Sequence, residues 1–211
     1  MTKKYRTNLD FFKSLTSEAC YWLGFISADG CIVYNKDKYI YQLIIHIHKK
    51  DIEHIKKLQN KLSDSPIREG KDGFISYAVC SKKLVEQLIK LGISPRKSLT
   101  NEFPTNIPEM YIRDFIRGYI DGDGWLGYDK TRKVEQLRIE ILGTENFLIS
   151  LKDIVENNIG YFTNGKVHKI KKANVYDLNI GSKDGVEKLY NWLYYDNCVN
   201  LERKWDRCLV R

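Results

Sequence analysis

The chain alternates between two kinds of hydrophobic pattern. From Ser17 to Asp29 a mostly apolar segment predicts a helix, with Ser17 as its N-cap. The pattern then changes to period two. In the segment Tyr39–His48, Tyr41, Leu43, Ile45 and Ile47 fall on one side, and Gln42, Ile44, His46 and His48 on the other. With Cys31–Asn35 and the polar turn Lys36-Asp37-Lys38, this predicts a hairpin with its apolar side on helices. Residues Asp51–Leu62 return to helical spacing. A second hairpin is expected over Ile67–Glu69 and Gly73–Cys80, and a further helix over Lys82–Leu91.

The same order is then written again. Sliding the sequence by 94 residues places Trp22-Leu23-Gly24-Phe25-Ile26-Ser27-Ala28-Asp29-Gly30 on Ile116-Arg117-Gly118-Tyr119-Ile120-Asp121-Gly122-Asp123-Gly124. Without a gap, Leu43, Ile45 and Ile47 fall on Leu137, Ile139 and Ile141, and Lys49-Lys50 on Gly143-Thr144. Later the offset grows to 101, where Ser81-Lys82 meets Ser182-Lys183, as a longer hairpin around Phe162–Ala173 would require. The second unit is expected to run Pro108–Asp123, Trp125–Tyr128, Val134–Leu142, Glu145–Asn158, Gly165–Lys171, Val175–Ile180 and Lys183–Tyr195. Residues 92–108 hold three of the four prolines and read as a linker between an N-terminal half, 1–91, and a C-terminal half, 109–211. The fold class is therefore α+β, two αββαββα units related by a pseudo-twofold axis.

The duplicated segment points to chemistry. Gly24/Ala28 and Gly118/Gly122 stand four apart, so each predicted helix has a flat stripe on which another backbone can lie. Two such helices would bring Asp29 and Asp123 together at their C-terminal ends, where the helix dipole disfavours an anion. A local rule broken twice in equivalent places marks a functional site, and paired carboxylates call for a cation between them.

The remaining composition narrows the partner. Lys and Arg total 35 against 27 Asp and Glu, a net charge of +8 with a pI near 9.1, which favours an anionic partner and nucleic acid first. Five scattered cysteines without a C-x-x-C spacing suggest a reducing compartment. There is no signal-peptide core and no apolar run of about 20 residues, so the expectation is a soluble, intracellular protein without membrane association. The polar side of each long strand is rich in groups that reach base edges, and a two-stranded ribbon fits the major groove.

These two motifs, their spacing and the segment Leu91-Gly92-Ile93-Ser94-Pro95-Arg96-Lys97-Ser98 resemble the LAGLIDADG homing endonucleases in their single-chain, two-motif form. The resemblance implies central motif helices flanked by two antiparallel, saddle-shaped sheets that grip double-stranded DNA. It implies Mg²⁺-dependent double-strand cleavage with short 3′ overhangs, with Mn²⁺ substituting and Ca²⁺ binding without cleavage. Asp29 and Asp123 would bind metal, helped by the carbonyls of Ala28 and Gly122. Candidate catalytic lysines are Lys49 or Lys50, and Lys82 and Lys183 at helix starts. Residues expected to face DNA are Lys36, Lys38, Gln42, Ile44, His46, His48, Arg68, Lys71 and Ser76 in the first half. In the second half they are Arg132, Gln136, Arg138, Glu140, Lys166, His168, Lys169, Lys171, Asp177 and Asn179.

Ser27 departs from the family pattern at the sixth motif position, where Asp121 stands in the other half; little catalytic effect is expected. Asp-Gly is also a common turn pair, and His46 and His48 could be a solvated pair rather than ligands, with no third ligand at a recognisable spacing. Trp125 is expected to wedge beneath the active-site loop. With both motifs in one chain, a monomer is expected. An intein origin is disfavoured by Met1 at the start and by an end without His-Asn. The alternative function is a non-cleaving binder on the same fold, either a maturase acting on its own intron RNA or a DNA-binding regulator.

Overall fold

The computed structural model describes residues 5–95, 100–129, 136–160, 167–170, 175–181 and 183–209. Helix α1 (Ser17–Asp29) leads directly into β1 (Gly30–Asn35) and β2 (Ile40–His48). A 3-10 turn (Lys49–Asp51) opens α2 (Ile52–Leu62), and β3 (Ile67–Glu69), β4 (Phe74–Cys80) and α3 (Lys82–Lys90) follow. The second half repeats this as α4 (Ile112–Asp123), β5 (Gly124–Asp129), β6 (Gln136–Gly143), α5 (Glu145–Ile159), β7 (Val167–Lys169), β8 (Tyr176–Ile180) and α6 (Lys183–Leu193). The two antiparallel sheets have the same strand order, β1-β2-β4-β3 and β5-β6-β8-β7. The architecture is the expected duplicated α+β fold.

Alternation decides which side of each sheet is covered. Leu43, Ile45, Tyr77 and Val79 are buried in the first sheet, and Ile139, Ile141, Leu178 and Ile180 in the second, while their strand neighbours face outward. Helix α1 is buried from Ala19 to Ala28 and α4 from Asp114 to Asp121, so the two motif helices form the centre of the core. The small stripes make this possible. A Cβ on Gly24 would stand 1.9 Å from the Phe115 carbonyl oxygen, and one on Gly118 would stand 1.9 Å from that of Tyr21. Tyr21 and Phe115 are themselves 94 residues apart, so the contact is reciprocal and defines the pseudo-twofold axis.

Several sequence expectations are corrected. Thr16, rather than Ser17, caps α1, its hydroxyl accepting from the Ala19 N–H at 3.2 Å. The gapless 94-residue register does not extend to the long strand. Gly30 pairs with Ile45 but Gly124 pairs with Ile141, so the equivalent of Ile45 is Ile141 and the second hairpin is two residues longer. A two-residue slip keeps every side chain on its own face, so alternation alone leaves it undetected. Glu145-Asn146, not Gly143-Thr144, is therefore the counterpart of Lys49-Lys50. The shared cap supports this register: His48 Nδ1 accepts from the Lys50 N–H, and Thr144 Oγ1 accepts from the Phe147 N–H.

A helix absent from the sequence reading, α7 (Glu202–Leu209), completes the second half. Its segment crosses to the first half, where Arg203 binds both carboxylate oxygens of Asp51. The segment after the first half behaves in kind. Asn101 donates to the Ser27 hydroxyl at 3.3 Å, and its carbonyl accepts from Thr144 at the start of α5. Each half's trailing segment thus binds its own motif helix and reaches a helix start in the other half.

Candidate active site at the ends of the motif helices

The site begins where α1 and α4 end. Both helices are followed by a glycine in extended conformation whose N–H bonds back to the helix, Gly30 to the Ile26 carbonyl and Gly124 to that of Ile120. Each chain turns sharply into its sheet at this point, leaving Asp29 and Asp123 half-buried at the junction. A Cβ on Gly122 would meet the Ala28 Cβ at 2.3 Å and lie 3.5 Å from the Asp29 carboxylate. Only glycine leaves the two helix ends free to abut, and the close approach puts both motif aspartates in one small region.

Lys204, on α7, is brought to that region, and the sequence reading overlooked it. Its ammonium donates to the carbonyls of Ile120 at 3.1 Å, Gly122 at 2.9 Å and Gly124 at 2.7 Å. The three donors of the side chain thus satisfy the C-terminal carbonyls of α4, where a cation is favoured by the helix dipole. Burial pulls the Lys204 ammonium below the usual lysine range, while Asp121, Asp29 and Asp123 act in the opposite sense. The Gly122 carbonyl, expected to help bind metal, is therefore already engaged by Lys204. A sequence signal existed, because the pair Arg96-Lys97 after the first half recurs as Arg203-Lys204 after the second. Arg96 and Lys97 lie outside the described residues.

Asp121, the sixth motif position, is a structural centre. Its carboxylate accepts from the Tyr21 hydroxyl at 2.8 Å, the Leu201 N–H at 2.8 Å, the Tyr194 hydroxyl at 3.0 Å and the Trp205 indole N–H at 3.0 Å. Burial pushes the carboxyl upward, and these donors hold its charged form. The neighbouring Arg117 is equally buried. It pairs with Asp114 at 2.6 Å and donates to the Leu193 and Val199 carbonyls, fixing the segment that precedes α7.

The other expected catalytic residues are not drawn to the carboxylates in the same way. Lys49 and Lys50 form the exposed 3-10 turn, with the Lys49 N–H bonded to the Gly73 carbonyl beside the β3–β4 turn. Lys82 is 60% exposed, faces its own-helix Glu86 and lies over Tyr41. Tyr41 pairs with Tyr34, four residues along β1 from Gly30, which is about 13 Å of strand. Lys183 is 79% exposed and faces Glu187. Trp125 does not wedge beneath a loop. It is 48% exposed on the open face of β5, its ring over Gly127, and lines a cavity of about 670 Å³ with Asp123, Arg138, Glu140 and Leu142.

The open faces carry most of the residues expected to meet DNA. Gln42, Ile44, His46 and His48 lie along β2, with Ser76 and Arg68 in register beside His46. Lys36, Lys38 and Lys71 sit exposed in turns at the sheet ends. In the second sheet Gln136, Arg138 and Glu140 line β6, with Asp177, Asn179 and His168 beside them. Arg138 pairs with Glu140 at 3.0 Å, and Asn179 donates to Asp177. Lys169 is in register with Tyr176, on the other face from His168. Arg132, Lys166 and Lys171 lie outside the described residues. Among the described residues no cluster of three or more His, Cys, Asp or Glu side chains is poised as a metal site, and no helix is long and apolar enough to cross a membrane.

Comparison with known proteins agrees with this fold. Residues 22–91 match the family model described as LAGLIDADG endonuclease. The fold resembles I-SmaMI bound to uncleaved DNA target in the presence of calcium ions, with a TM-score of 0.58, 14% identity, and 85% of each chain covered. It also resembles the I-SmaMI LAGLIDADG homing endonuclease bound to cleaved DNA, with a TM-score of 0.60, 14% identity, and coverage of 92% of this chain and 87% of the other. A probable translation initiation factor IF-2 from Methanocaldococcus jannaschii is 24% identical over 184 residues, which are 81% of this chain but only 14% of that protein. The similar region there is one segment of a far longer polypeptide, so the ends of the present sequence carry no argument about an intein context. The first half thus matches the LAGLIDADG endonuclease family model over residues 22–91, and the duplicated fold around the two motif helices resembles that of the I-SmaMI structures.

Proposed function

We propose that this protein is a site-specific homing endonuclease that makes a Mg²⁺-dependent double-strand break in a long DNA target, leaving short 3′ overhangs. The observation that carries this reading is the reciprocal packing of Gly24 and Gly118, which sets Asp29 and Asp123 together at the axis between two outward-facing sheets. Each half then serves one strand.

The donor set fits magnesium, which is commonly held by one or two carboxylates with the remaining positions filled by water and substrate phosphate. Asp29 and Asp123 would hold it, at helix ends that can abut because Gly122 has no Cβ to meet that of Ala28. Magnesium bound there supplies Lewis-acid stabilisation of phosphate charge and activation of water. The chain's own part is positional. The sheets bind and orient the duplex, the helix ends fix the two carboxylates, and Lys204 holds the α4 terminus while keeping positive charge beside the reacting phosphates. I-SmaMI is described on uncleaved target with calcium and also on cleaved DNA, which supports expecting binding in Ca²⁺ and cutting in Mg²⁺ or Mn²⁺.

The test compares the wild type with Asp29→Asn and Asp123→Asn on a host allele lacking the intervening sequence, in Mg²⁺, Ca²⁺ or EDTA. A discrete double-strand cut in Mg²⁺ alone, lost or reduced to nicking in each variant, is the expected result. Tight binding without cutting in Mg²⁺ or Mn²⁺ would replace this reading with a non-cleaving one, and RNA splicing would then be assayed.

A further inference from the structure

The open faces of the two sheets can be compared position by position, because the register fixes which residues are equivalent. The row nearest each motif aspartate comprises Cys31, Ile44 and Ala78 in the first sheet and Trp125, Glu140 and Asn179 in the second. All six alternate with buried neighbours and therefore lie on the outward side. The chemistry of the two rows is different. The first offers a thiol, a branched aliphatic chain and a methyl group, with no strong hydrogen-bonding side chain. The second offers a carboxylate and an amide beside a large indole. In the next row Gln42 donates to the Cys80 Sγ at 3.0 Å, whereas its counterpart Arg138 is tied to Glu140 at 3.0 Å.

In the major groove, thymine alone presents a methyl group, while cytosine and adenine present exocyclic amino donors. Apolar side chains pair with the former, and Glu or Asn with the latter. We infer that the two half-sites are read by different chemistry at the equivalent position beside the cut: a thymine methyl under Cys31, Ile44 and Ala78, and an exocyclic amino group under Glu140 and Asn179. This rests on the proposed endonuclease reading and adds what each sheet selects. It also accounts for a half-buried, outward-facing isoleucine on a face otherwise suited to polar contacts.

The test starts from a long randomised duplex pool, selected on the folded wild-type protein in Ca²⁺. Selected duplexes are then remade with deoxyuridine in place of thymidine in one half or the other, which removes the methyl and leaves the hydrogen-bonding edges intact. Binding is expected to weaken by about fourfold per contacted thymine in one half only, on the scale of one buried methyl group. That sensitivity disappears in Ile44→Ala, which thereby identifies the half under the first sheet, and persists in Glu140→Gln. If Ile44→Ala does not fold, Ala78→Ser serves instead, placing a hydroxyl in the methyl slot. A consensus without thymine in that half, an equal uridine effect in both halves, or an effect unchanged in the variants overturns the inference. Enrichment of no sequence by folded protein would instead sink the endonuclease reading, and the inference with it.

Discussion

Lys204 and His54 show how single side chains act at the site and beneath it. Because Lys204 caps α4 through three carbonyls, Lys204→Met leaves that helix end and Asp123 less well fixed. The expected consequence is a slower second cut, so that nicked circles accumulate in a plasmid time course, whereas equal slowing of both strands would contradict it. His54 is buried against Trp22 and Phe25, with Nε2 at 2.9 Å from the Tyr21 hydroxyl. Since the Tyr21 proton goes to Asp121, Nε2 must carry the hydrogen and Nδ1 is bare, with no partner among the described residues. Burial accordingly lowers His54 to about 3, against 6.5 for the free side chain. As pH falls below 6.5 the unfolded chain takes up a proton that the folded site refuses, so stability is full above that pH and declines towards 3. Between pH 7.5 and 5.5 the loss is about 1.4 kcal/mol, or roughly 3–5 °C in Tm, and His54→Phe should flatten this slope in thermal melts. The sequence revealed the two motif acids because they repeat. It could not reveal the role of Asp121, whose donors Tyr21, Tyr194, Leu201 and Trp205 lie up to 100 positions away.

At the scale of elements, the motif helices depend on backbone contact without intervening side chains. Gly118→Ala would place a methyl group 1.9 Å from the Tyr21 carbonyl oxygen, and neither backbone can yield without separating the helices. A loss of about 3 kcal/mol or more is expected, at the upper end of overpacking costs, read as a lower denaturation midpoint. Gly73→Ala offers a contrast. Its glycine has a φ of +79°, so the cost there is backbone strain in a turn and leaves the helix pair intact. The helices and strands were legible because their periods differ, 3.6 against 2. The extra two residues of the β5–β6 hairpin were not, since a shift of two preserves every face. Helix α7 was missed for another reason. Glu202-Arg203-Lys204-Trp205-Asp206 has one apolar anchor among charges and reads locally as a solvated tail, until Asp121 and Asp51 supply its partners.

At the scale of the molecule, the net charge of +8 and lysine-bearing turns at the sheet ends call for phosphate contacts along a duplex. Affinity should therefore fall steeply with salt. A footprint neutralising about six phosphates loses on the order of 10³ in affinity between 50 and 200 mM, and a flat salt titration would speak against the duplex-gripping arrangement. The reciprocal seat of Gly24 against Phe115 and of Gly118 against Tyr21 has a further meaning here. A contact in which each partner presents the same patch to the other is closed: it joins two units and is then consumed, leaving no open end to recruit a third. Duplication into one chain has made that closure intramolecular, so the face that would otherwise govern self-association is spent inside the fold.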